Sequence, residues 1–482
     1  MNHKIVFNIT GKILQALAAI MILPILVSVI YREKCAVSFL TAAIISFVLG
    51  ILLKVMTKNC KKDLYAKEGF LIVALAWISA SLIGCLPFYL SGEIPSFVDA
   101  FFEMVSGFTT TGASVVKNVE ELSRGILFWR SFSHWIGGMG VLVFVVAFAG
   151  NLSDKAIHIL RAEMPGPSVG KLVPRAKDTS KMLYIIYIAI TLVQIILLVF
   201  GEMDLFEAVI HTFGTAGTGG FGLKSDSITG YSAYSQWVIT VFMMIFGVNF
   251  NLYYLILIKR FRAVLKSTEL WTYAGIAAIS TLIIAFNIRG LFDTAADTVR
   301  NAAFQVATVM TTTGFATADF NLWPELSRSV LLILMFIGAC AGSTAGGLKV
   351  SRIVILFKMG LREIKRMIHP RSVGSVKFEG KDVDEHTKNS ITTYFAIYMM
   401  CFFMIFLLLS FEGEPFDFES NFSAVMACFN NIGPGFGVVG PMGSYALYSD
   451  FSKILLSFAM LLGRLEIFPI VIALIPSTWK RK

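Results

Sequence analysis

The sequence predicts an all-α protein that crosses a membrane many times and is built from four similar helical units. Of its 482 residues, 56% are hydrophobic and only 15% are charged, whereas a soluble domain carries about 25% charged residues. Apolar stretches of about 20 residues, the length that spans a bilayer, recur along the chain. The motif Thr-Thr-Thr-Gly occurs at residues 109–112 and again at 311–314, each time between two apolar stretches. Such a recurrence indicates repeated architecture.

Two membrane helices are expected before the repeated units, near residues 12–30 and 37–56, within a first segment of residues 1–67. The first helix has the position of a secretory signal peptide, but it ends in "VIYREK" with no small-residue cleavage site. We therefore expect it to be retained. The six cysteines are scattered, and their spacing matches neither a metal site nor a disulfide framework.

The loops between the apolar stretches alternate in charge. Most of the 41 lysines and arginines lie in one set of loops or at the two termini. These basic loops are 54–67, 155–181, 259–266 and 349–388. The other set is dominated by Asp and Glu and comprises 93–124, 202–224, 289–328 and 412–450. The positive-inside rule assigns the basic loops and both termini to the cytoplasm. The net charge of +10 thus reflects orientation together with contact to a cytosolic partner or to anionic lipid, and no nucleic-acid partner is expected.

Each acidic loop follows the same plan, in which a short semi-apolar helix leads into a knot rich in Thr, Asn and Gly. The knots are "TTTGAS", "TAGTGGF", "TTTGFA" and "NNIGPGF". Alignment of one shared glycine pairs Gly112, Gly219, Gly314 and Gly433. Four repeats therefore fill the rest of the chain, at residues 68–155, 156–268, 269–380 and 381–482.

The short helices are expected at residues 96–107, 205–214, 295–310 and 416–429. They are too short to span a bilayer, which fits re-entrant segments. Irregular backbone at membrane depth is tolerated where it is buried or lines a watery cavity. We therefore expect four helix–pore-loop–helix repeats in a pseudo-fourfold arrangement around one pore. Acidic residues at the helix starts are expected to stabilise those N-termini, and alternatively to concentrate cations at the mouth.

The knots have the chemistry of a cation filter. A dehydrated cation needs oxygen ligands, which potassium filters supply as backbone carbonyls, and glycine permits carbonyl orientations that other residues resist. The short helix before each knot also directs its partially negative C-terminal end toward the knot. The alternative is that Thr and Gly allow close packing of membrane helices. The expected filter residues are Thr110, Thr111, Gly112, Gly217, Thr218, Gly219, Thr312, Thr313, Gly314, Asn431, Ile432 and Gly433.

A second glycine-rich segment, "GACAGSTAGG" at residues 338–347, interrupts the apolar stretch 330–357. Each interior glycine costs a helix about 1 kcal/mol relative to alanine, so we expect an unwound, mobile loop beneath the filter. The alternative is a small-residue groove for tight helix packing. The glycine and hydroxyl residues singled out in this segment are Gly338, Gly342, Ser343, Thr344, Gly346 and Gly347.

Two arginines within apolar helices require partners. Arg464 lies midway along the last apolar stretch, where a charge is costly, so it should face the bundle or a cavity. We expect Arg464 to reach the pore below the filter and to contact the glycine-rich loop; the alternative is that it satisfies buried carbonyls near the fourth knot. Arg130 is expected to pair with an acidic residue of a short helix.

These motifs together resemble the bacterial potassium-uptake superfamily that includes TrkH and KtrB. The stretches "WRSFSHWIGGMGV" (129–141), "GACAGSTAGGLK" (338–349) and "LLGRLEIF" (461–468) are similar to three of its signatures. The resemblance covers nearly the whole chain, and the two additional N-terminal helices favour the TrkH branch. It implies a potassium-translocating, multi-pass subunit of the bacterial inner membrane, which binds K⁺ in its pore and has neither an organic cofactor nor enzymatic activity. It also implies that the glycine-rich segment is an intramembrane gating loop. The expected gate residues are then Gly338, Gly342, Ser343, Thr344, Gly346, Gly347 and Arg464.

The resemblance also implies partners, namely a second copy of the chain in a homodimer and a cytosolic ring of nucleotide-binding TrkA-like subunits. The basic segment 359–380 is expected to bind that cytosolic partner or, alternatively, lipid headgroups. The glycine-rich second knot and Asn430, Asn431 and Pro434 of the fourth depart from a uniform ring, which predicts a selectivity for potassium over sodium that is not strict. A secondary transporter coupled to protons or sodium is the alternative function, because transporters also contain repeats and broken helices.

Overall fold

The structure is a computed structural model that describes residues 2–58, 65–140, 176–371 and 374–479. The predicted basic loop 155–181, the boundary between the first two repeats and the tail 480–482 therefore lie wholly or largely outside the described residues. Apart from one short hairpin, the described part of the chain consists of helices and their connections.

The first half of the described chain contains eleven of these helices. They are α1 His3–Ile20, α2 Ile22–Ile30, α3 Cys35–Met56, α4 Ala66–Gly84, α5 Leu86–Ser91, α6 Phe97–Phe108, α7 Arg124–Gly138, α8 Ala176–Phe200, α9 Leu205–Gly217, α10 Ala233–Phe246 and α11 Phe250–Leu257. The second half continues with α12 Phe261–Leu265, α13 Thr268–Asn287, α14 Ala295–Met310, α15 Glu325–Ile337, α16 Val350–Ile368, α17 Glu385–Leu409, α18 Phe418–Phe429, α19 Asp450–Arg464, α20 Phe468–Leu474 and α21 Pro476–Trp479.

Six spans of the described chain are long and apolar enough to cross a membrane. Two precede the repeats, at His3–Ile30 and Cys35–Met56, so the first begins nine residues earlier than predicted. The other four spans are Lys67–Ser91, Lys181–Phe200, Thr268–Asn287 and Glu385–Leu409, and one of them precedes each acidic loop. The sequence alone predicts this placement, because these apolar stretches are long enough to span the hydrocarbon core of a bilayer.

The helix after the knot is interrupted in the second, third and fourth repeats, and the sequence predicted this only for the third. In the second repeat, α10 and α11 meet at 90°. In the third repeat, residues 338–349 separate α15 from α16, and in the fourth repeat α19 ends at Arg464. The prediction that Arg464 lies midway along a continuous helix is therefore wrong, because Glu466 and Ile467 adopt positive φ angles of 51° and 68° that a right-handed helix cannot continue through.

The short helices α6, α9, α14 and α18 occupy the interior of the bundle. The predicted bounds agree to within three residues at each end, and α14 has the bounds that were predicted. Most of their side chains are buried, including every residue of α18 from Ser423 to Phe429. These four helices are too short to span a membrane and carry their knots into the centre of the molecule.

A two-stranded antiparallel hairpin connects the third and fourth repeats. Its strands are β1 Lys377–Phe378 and β2 Lys381–Asp382, with Lys377 opposite Asp382 and Phe378 opposite Lys381. Val376, at the start of the hairpin, packs against Ile355 of α16 and Ile391 of α17 in a hydrophobic cluster separate from the main core. The hairpin, which lies within the basic loop 349–388, is thereby held against α16 and α17.

Candidate ion pathway

The four short helices end in the same backbone conformation. In three of them a β-branched residue, Thr110, Thr218 or Thr312, adopts the left-handed region with φ of 55°, and in the fourth Asn431 has φ of 56°. This conformation is unusual for threonine and is a common way to terminate a helix. It folds the chain back so that the following N–H donates to a carbonyl five residues earlier, as from Thr111 to Ser106 at 2.9 Å.

The other three helices close in the same way. The N–H of Gly219 donates to the carbonyl of Gly214, that of Thr313 to Thr308 and that of Ile432 to Ala427, each at a distance of 2.8 Å. Strained backbone of this kind persists where the surrounding structure determines it, which is frequent at functional sites. The local conformation therefore makes four matching segments, each of which continues into a glycine with positive φ.

These four glycines are Gly112, Gly220, Gly314 and Gly433, with φ of 82°, 76°, 88° and 99°. The alignment that paired Gly219 with Gly112 is thus one residue out of register. The consecutive glycines of "GTGGF" made two alignments possible, and only the backbone conformation distinguishes them. Gly219 itself occupies the position of Thr111, Thr313 and Ile432.

The four segments contact one another in a closed order. A Cβ atom added to Gly112 would lie 2.0 Å from the carbonyl oxygen of Gly219, and one added to Gly220 would lie 2.1 Å from that of Thr313. A Cβ on Gly314 would lie 2.2 Å from the Ile432 carbonyl oxygen, and one on Gly433 would lie 2.7 Å from that of Thr111. Any side chain at these positions would collide with a neighbouring carbonyl, so glycine is required both for space and for φ.

All four glycines line one cavity of about 360 Å³, here called the outer cavity. The charged residues among its described lining are basic, and they are Lys117, Arg130 and Lys224. The alternative that acidic residues concentrate cations at this mouth is thus not supported by the lining. Instead, Asp204 and Asp417 accept hydrogen bonds from the first turns of α9 and α18 at 3.1 and 2.8 Å, as expected for helix N-termini.

Buried polar contacts support the segment of the first repeat. Arg130 pairs with Glu103 of α6 at 2.6 Å, as the sequence analysis predicted, and both side chains are buried. Glu103 also accepts hydrogen bonds from the hydroxyl of Ser114 at 2.9 Å and from the N–H of Val115 at 3.0 Å. The Arg130 guanidinium lies 4.1 Å from the ring centre of Phe221, so this ion pair joins the first knot to the second.

Two side chains that the sequence analysis did not single out support the fourth segment. The hydroxyl of Tyr445 donates to the carbonyl of Gly433 at 2.8 Å, and the hydroxyl of Tyr398 donates to the Asn430 side chain at 2.9 Å. The side-chain amide of Asn431 donates to the hydroxyl of Thr111 at 3.0 Å, which joins the fourth segment to the neighbouring first segment. No short-range pattern marks these tyrosines, because each lies in an element distant in sequence from the atom it contacts.

Residues 338–349, here called the glycine loop, are non-helical as predicted. Gly338, Gly342 and Gly347 have φ of 71°, 73° and 75°, values that other residues rarely adopt. The N–H of Gly346 donates to the hydroxyl of Thr312 at 2.7 Å. A Cβ added to Gly346 would lie 2.3 Å from the Asn430 carbonyl oxygen. The glycine loop therefore lies directly against the ends of α14 and α18.

Arg464 contacts the glycine loop, as expected, and also the end of α7. Its guanidinium donates to the carbonyl of Thr344 at 2.7 Å and to those of Gly137 and Gly138 at 2.5 and 2.8 Å. The planar fork of donors suits this set of converging carbonyls. The alternative in which Arg464 satisfies buried carbonyls is thus also realised, although the carbonyls belong to the first and third repeats.

A second, smaller cavity of about 70 Å³ lies between the glycine loop and the ends of the interrupted helices. Its lining includes Gly138, Gly346, Gly463 and the charged residues Lys349, Arg464 and Glu466. Lys349 donates to the Ala345 carbonyl within the glycine loop. Small residues, two basic side chains and one acidic side chain thus line a cavity beside the glycine loop.

Comparison with known proteins assigns this arrangement to a family. The family model TrkH, described as a cation transport protein, matches residues 36–273 and 263–481. The potassium uptake proteins TrkH of Salmonella typhimurium and Escherichia coli are each 36% identical to this chain, and each alignment covers both proteins completely. The chain belongs to the TrkH family.

The structural comparison agrees with this assignment. The crystal structure of the potassium transporter TrkH from Vibrio parahaemolyticus superimposes with a TM-score of 0.89 at 33% identity, and the match covers 100% of both chains. TrkG of Escherichia coli, also a Trk system potassium uptake protein, is 34% identical over 99% of both chains. The TrkH family match includes all four knots, the glycine loop and Arg464.

Proposed function

We propose that the chain is the potassium-translocating subunit of a bacterial uptake system, with a channel-like pore formed by four pseudo-fourfold repeats. The observation that carries the proposal is that four glycines of positive φ, one from each repeat, line the same outer cavity. Its relatives are named potassium uptake proteins. The four-repeat pore, its filter and its gate are inferred from the geometry described above.

The selectivity filter in this proposal is the ring of carbonyl oxygens before the four glycines. These carbonyls belong to Thr111, Gly219, Thr313 and Ile432, and each lies against the glycine of an adjacent repeat. Carbonyls can replace the hydration shell of a potassium ion. The C-terminal ends of four buried helices face the same region, which favours a cation there. Thr110, Thr218, Thr312 and Asn431 hold the ring through their strained backbone conformation.

The gate in this proposal is the glycine loop together with Arg464. The loop contacts the filter through Gly346 and Thr312, and Arg464 holds Thr344 of the loop to the first repeat. A cation would have to pass this contact to leave the filter for the smaller cavity. The positive charges of Arg464 and Lys349 in that cavity would also disfavour a tightly held cation there.

We further propose that the chain lies in the bacterial inner membrane with both termini in the cytoplasm, and works with partners. The distribution of basic residues supports the orientation. The relatives belong to a named Trk system, which supports a regulatory, TrkA-like cytosolic subunit, and a homodimer is expected. Exposed apolar residues follow one face of α16, among them Phe357, Leu361 and Ile364. This face is available for contact with the regulatory subunit or with the second copy of the chain.

Cation flux into proteoliposomes that contain the purified chain tests the proposed function. We expect Rb⁺ and K⁺ to enter faster than Na⁺, and Gly314→Ser to reduce that preference because any side chain there meets the Ile432 carbonyl at 2.2 Å. Gly275→Ser is the matched control, since Gly275 lies on the membrane-spanning helix α13 with no atom within 4 Å of an added Cβ. Equal ion preference in wild type and Gly314→Ser would place the filter elsewhere. Flux only with a proton or sodium gradient would indicate a coupled transporter.

A further inference from the structure

The hairpin of β1 and β2 contacts helix α13 through its turn. Glu379 and Gly380 form that turn, with φ of 49° and 73°. One carboxylate oxygen of Glu379 accepts hydrogen bonds from the hydroxyl of Ser267 at 3.0 Å and from the N–H of Glu269 at 2.9 Å. Both donors belong to the N-terminus of α13. The hairpin thus reaches across more than 100 residues of sequence to a helix end.

The N-terminus of α13 is a natural place for a carboxylate. The first N–H groups of a helix have no partner within the helix, and a negative charge there is stabilised by the helix dipole. Ser267 is the N-cap residue and accepts from the N–H of Leu270 at 3.3 Å. The cap of α13 is therefore completed by Glu379, a residue of another segment, which makes the position of this helix end dependent on the hairpin.

The side chain of Glu269 continues the connection into the glycine loop. It is 6% exposed, and its carboxylate accepts a hydrogen bond of 2.7 Å from the N–H of Ala341. The neighbouring N–H of Cys340 donates to the carbonyl of Gly247 at 3.1 Å, and the Gly342 carbonyl accepts from the N–H of Phe250 at 3.0 Å. Glu269 is thus bound to the hairpin through its backbone and to the centre of the loop through its carboxylate.

We propose that Glu379 and Glu269 are positioning residues that link the hairpin to the glycine loop. A carboxylate is suited to both places because it is an acceptor with two oxygens, and hydrogen bonds to a charged acceptor are stronger than neutral ones. Displacement of the hairpin then withdraws the cap from α13 and loosens the hold of Glu269 on Ala341. The link from this contact to ion flux rests on the proposed role of the glycine loop as a gate.

The small hydrophobic cluster under the hairpin supports this role. Val376 is 2% exposed and packs with Ile355 of α16 and Ile391 of α17. Because α16 follows the glycine loop directly, the hairpin contacts the loop region on two sides, through α16 and through α13. A displacement of the hairpin is therefore transmitted to the glycine loop through both α16 and α13.

Hydrogen exchange of the full-length chain tests the inference. In Glu379→Ala, we expect the amides of residues 338–349 and of the first turn of α13 to exchange about fivefold faster, the factor that corresponds to the net value of one hydrogen bond. Asp382→Ala removes a carboxylate of the same hairpin that makes no hydrogen bond to α13, and it should leave the exchange unchanged. Glu379→Gln retains an acceptor oxygen and should restore most of the protection.

A double variant separates a linked contact from two independent ones. If the contacts act in series, Glu269→Ala combined with Glu379→Ala should exchange no faster in the glycine loop than Glu269→Ala alone. Multiplication of the two effects, or unchanged loop exchange in Glu379→Ala, would overturn the inference. Rb⁺ flux is measured on the same samples: faster loop exchange without any change in flux would support the link and contradict the proposed gate.

Discussion

The backbone N–H of Gly346 donates a hydrogen bond of 2.7 Å to the hydroxyl of Thr312, so the glycine loop is joined to the segment that follows α14. Thr312 is one of the three threonines with left-handed backbone. The equivalent Thr218 instead donates to the carbonyl of Gly217 at 2.6 Å. The four segments therefore share a backbone conformation, but the third carries the hydroxyl that contacts the loop.

Replacement of Thr312 by valine removes this hydroxyl and keeps the side-chain shape. We expect the loop to lose one hydrogen bond worth about 1 kcal/mol and the basal Rb⁺ flux of the chain alone to rise about fivefold. Thr218→Val is the control, because its hydroxyl has no contact with the loop. Equal flux in the two variants would show that the bond between Gly346 and Thr312 does not restrain the loop.

The register of the second knot can be tested with alanine. In Gly220→Ala, the added Cβ meets the Thr313 carbonyl at 2.1 Å and the backbone must keep φ of 76°, so we expect loss of the preference for Rb⁺ over Na⁺. In Gly219→Ala, the Cβ meets the imidazole of His134 at 2.3 Å. His134→Ala removes this imidazole, so the double variant Gly219→Ala/His134→Ala should regain Rb⁺ flux. The same His134→Ala change should not restore the ion preference of Gly220→Ala. The opposite pattern of rescue would restore the alignment in which Gly219, rather than Gly220, is the counterpart of Gly112.

Arg464→Ala removes donors to carbonyls of the first and third repeats. We expect the basal Rb⁺ flux to rise, because the Thr344 carbonyl is no longer held to the end of α7 and because one positive charge is lost from the smaller cavity. Arg464→Lys keeps the charge without the planar fork and separates the two effects. Single-channel or flux recordings that match wild type for both variants would exclude Arg464 from the gate.

The pair formed by Arg130 and Glu103 predicts a large effect on stability. Both side chains are buried, and removal of one partner from such a pair typically costs about 3–5 kcal/mol. We expect Glu103→Gln to lower the thermal unfolding midpoint of the detergent-solubilised chain markedly. The pair of the half-buried Arg328 and the exposed Glu325 provides the comparison, and Glu325→Gln should change stability by less than about 1 kcal/mol. Similar midpoints for both variants would contradict this assignment.

The lysines of the outer cavity predict an effect on divalent cations. A positive side chain repels a divalent ion twice as strongly as a monovalent one. We expect Lys117→Met/Lys224→Met to lower the concentration of Ba²⁺ or Mg²⁺ that halves Rb⁺ flux by about threefold, after screening by salt. Arg289→Met removes a charge that stacks on Phe286 and does not line the cavity, so it should leave this concentration unchanged. An equal shift in the control would indicate a general surface-charge effect.

Local sequence determined the parts of this protein that depend on local chemistry. Apolar length was sufficient to predict the two N-terminal spans and the helix that opens each repeat, because a bilayer imposes that length. The unwinding at 338–347 followed from the intrinsic cost of several glycines in one helix. The bounds of α14 also followed from the sequence. The pairing of Arg130 with an acidic residue followed because a buried arginine needs a partner.

The tertiary structure decided which segments meet. Gly220 rather than Gly219 completes the set of four glycines because the backbone conformation, which the local sequence leaves open, selects between two adjacent residues. Arg464 ends α19 because Glu466 and Ile467 adopt positive φ, which their residue types do not predict. The contacts of Glu379 with α13 and of Glu269 with Ala341 join residues 110 and 72 positions apart. Such contacts form only when helices pack, so no periodicity in the sequence records them.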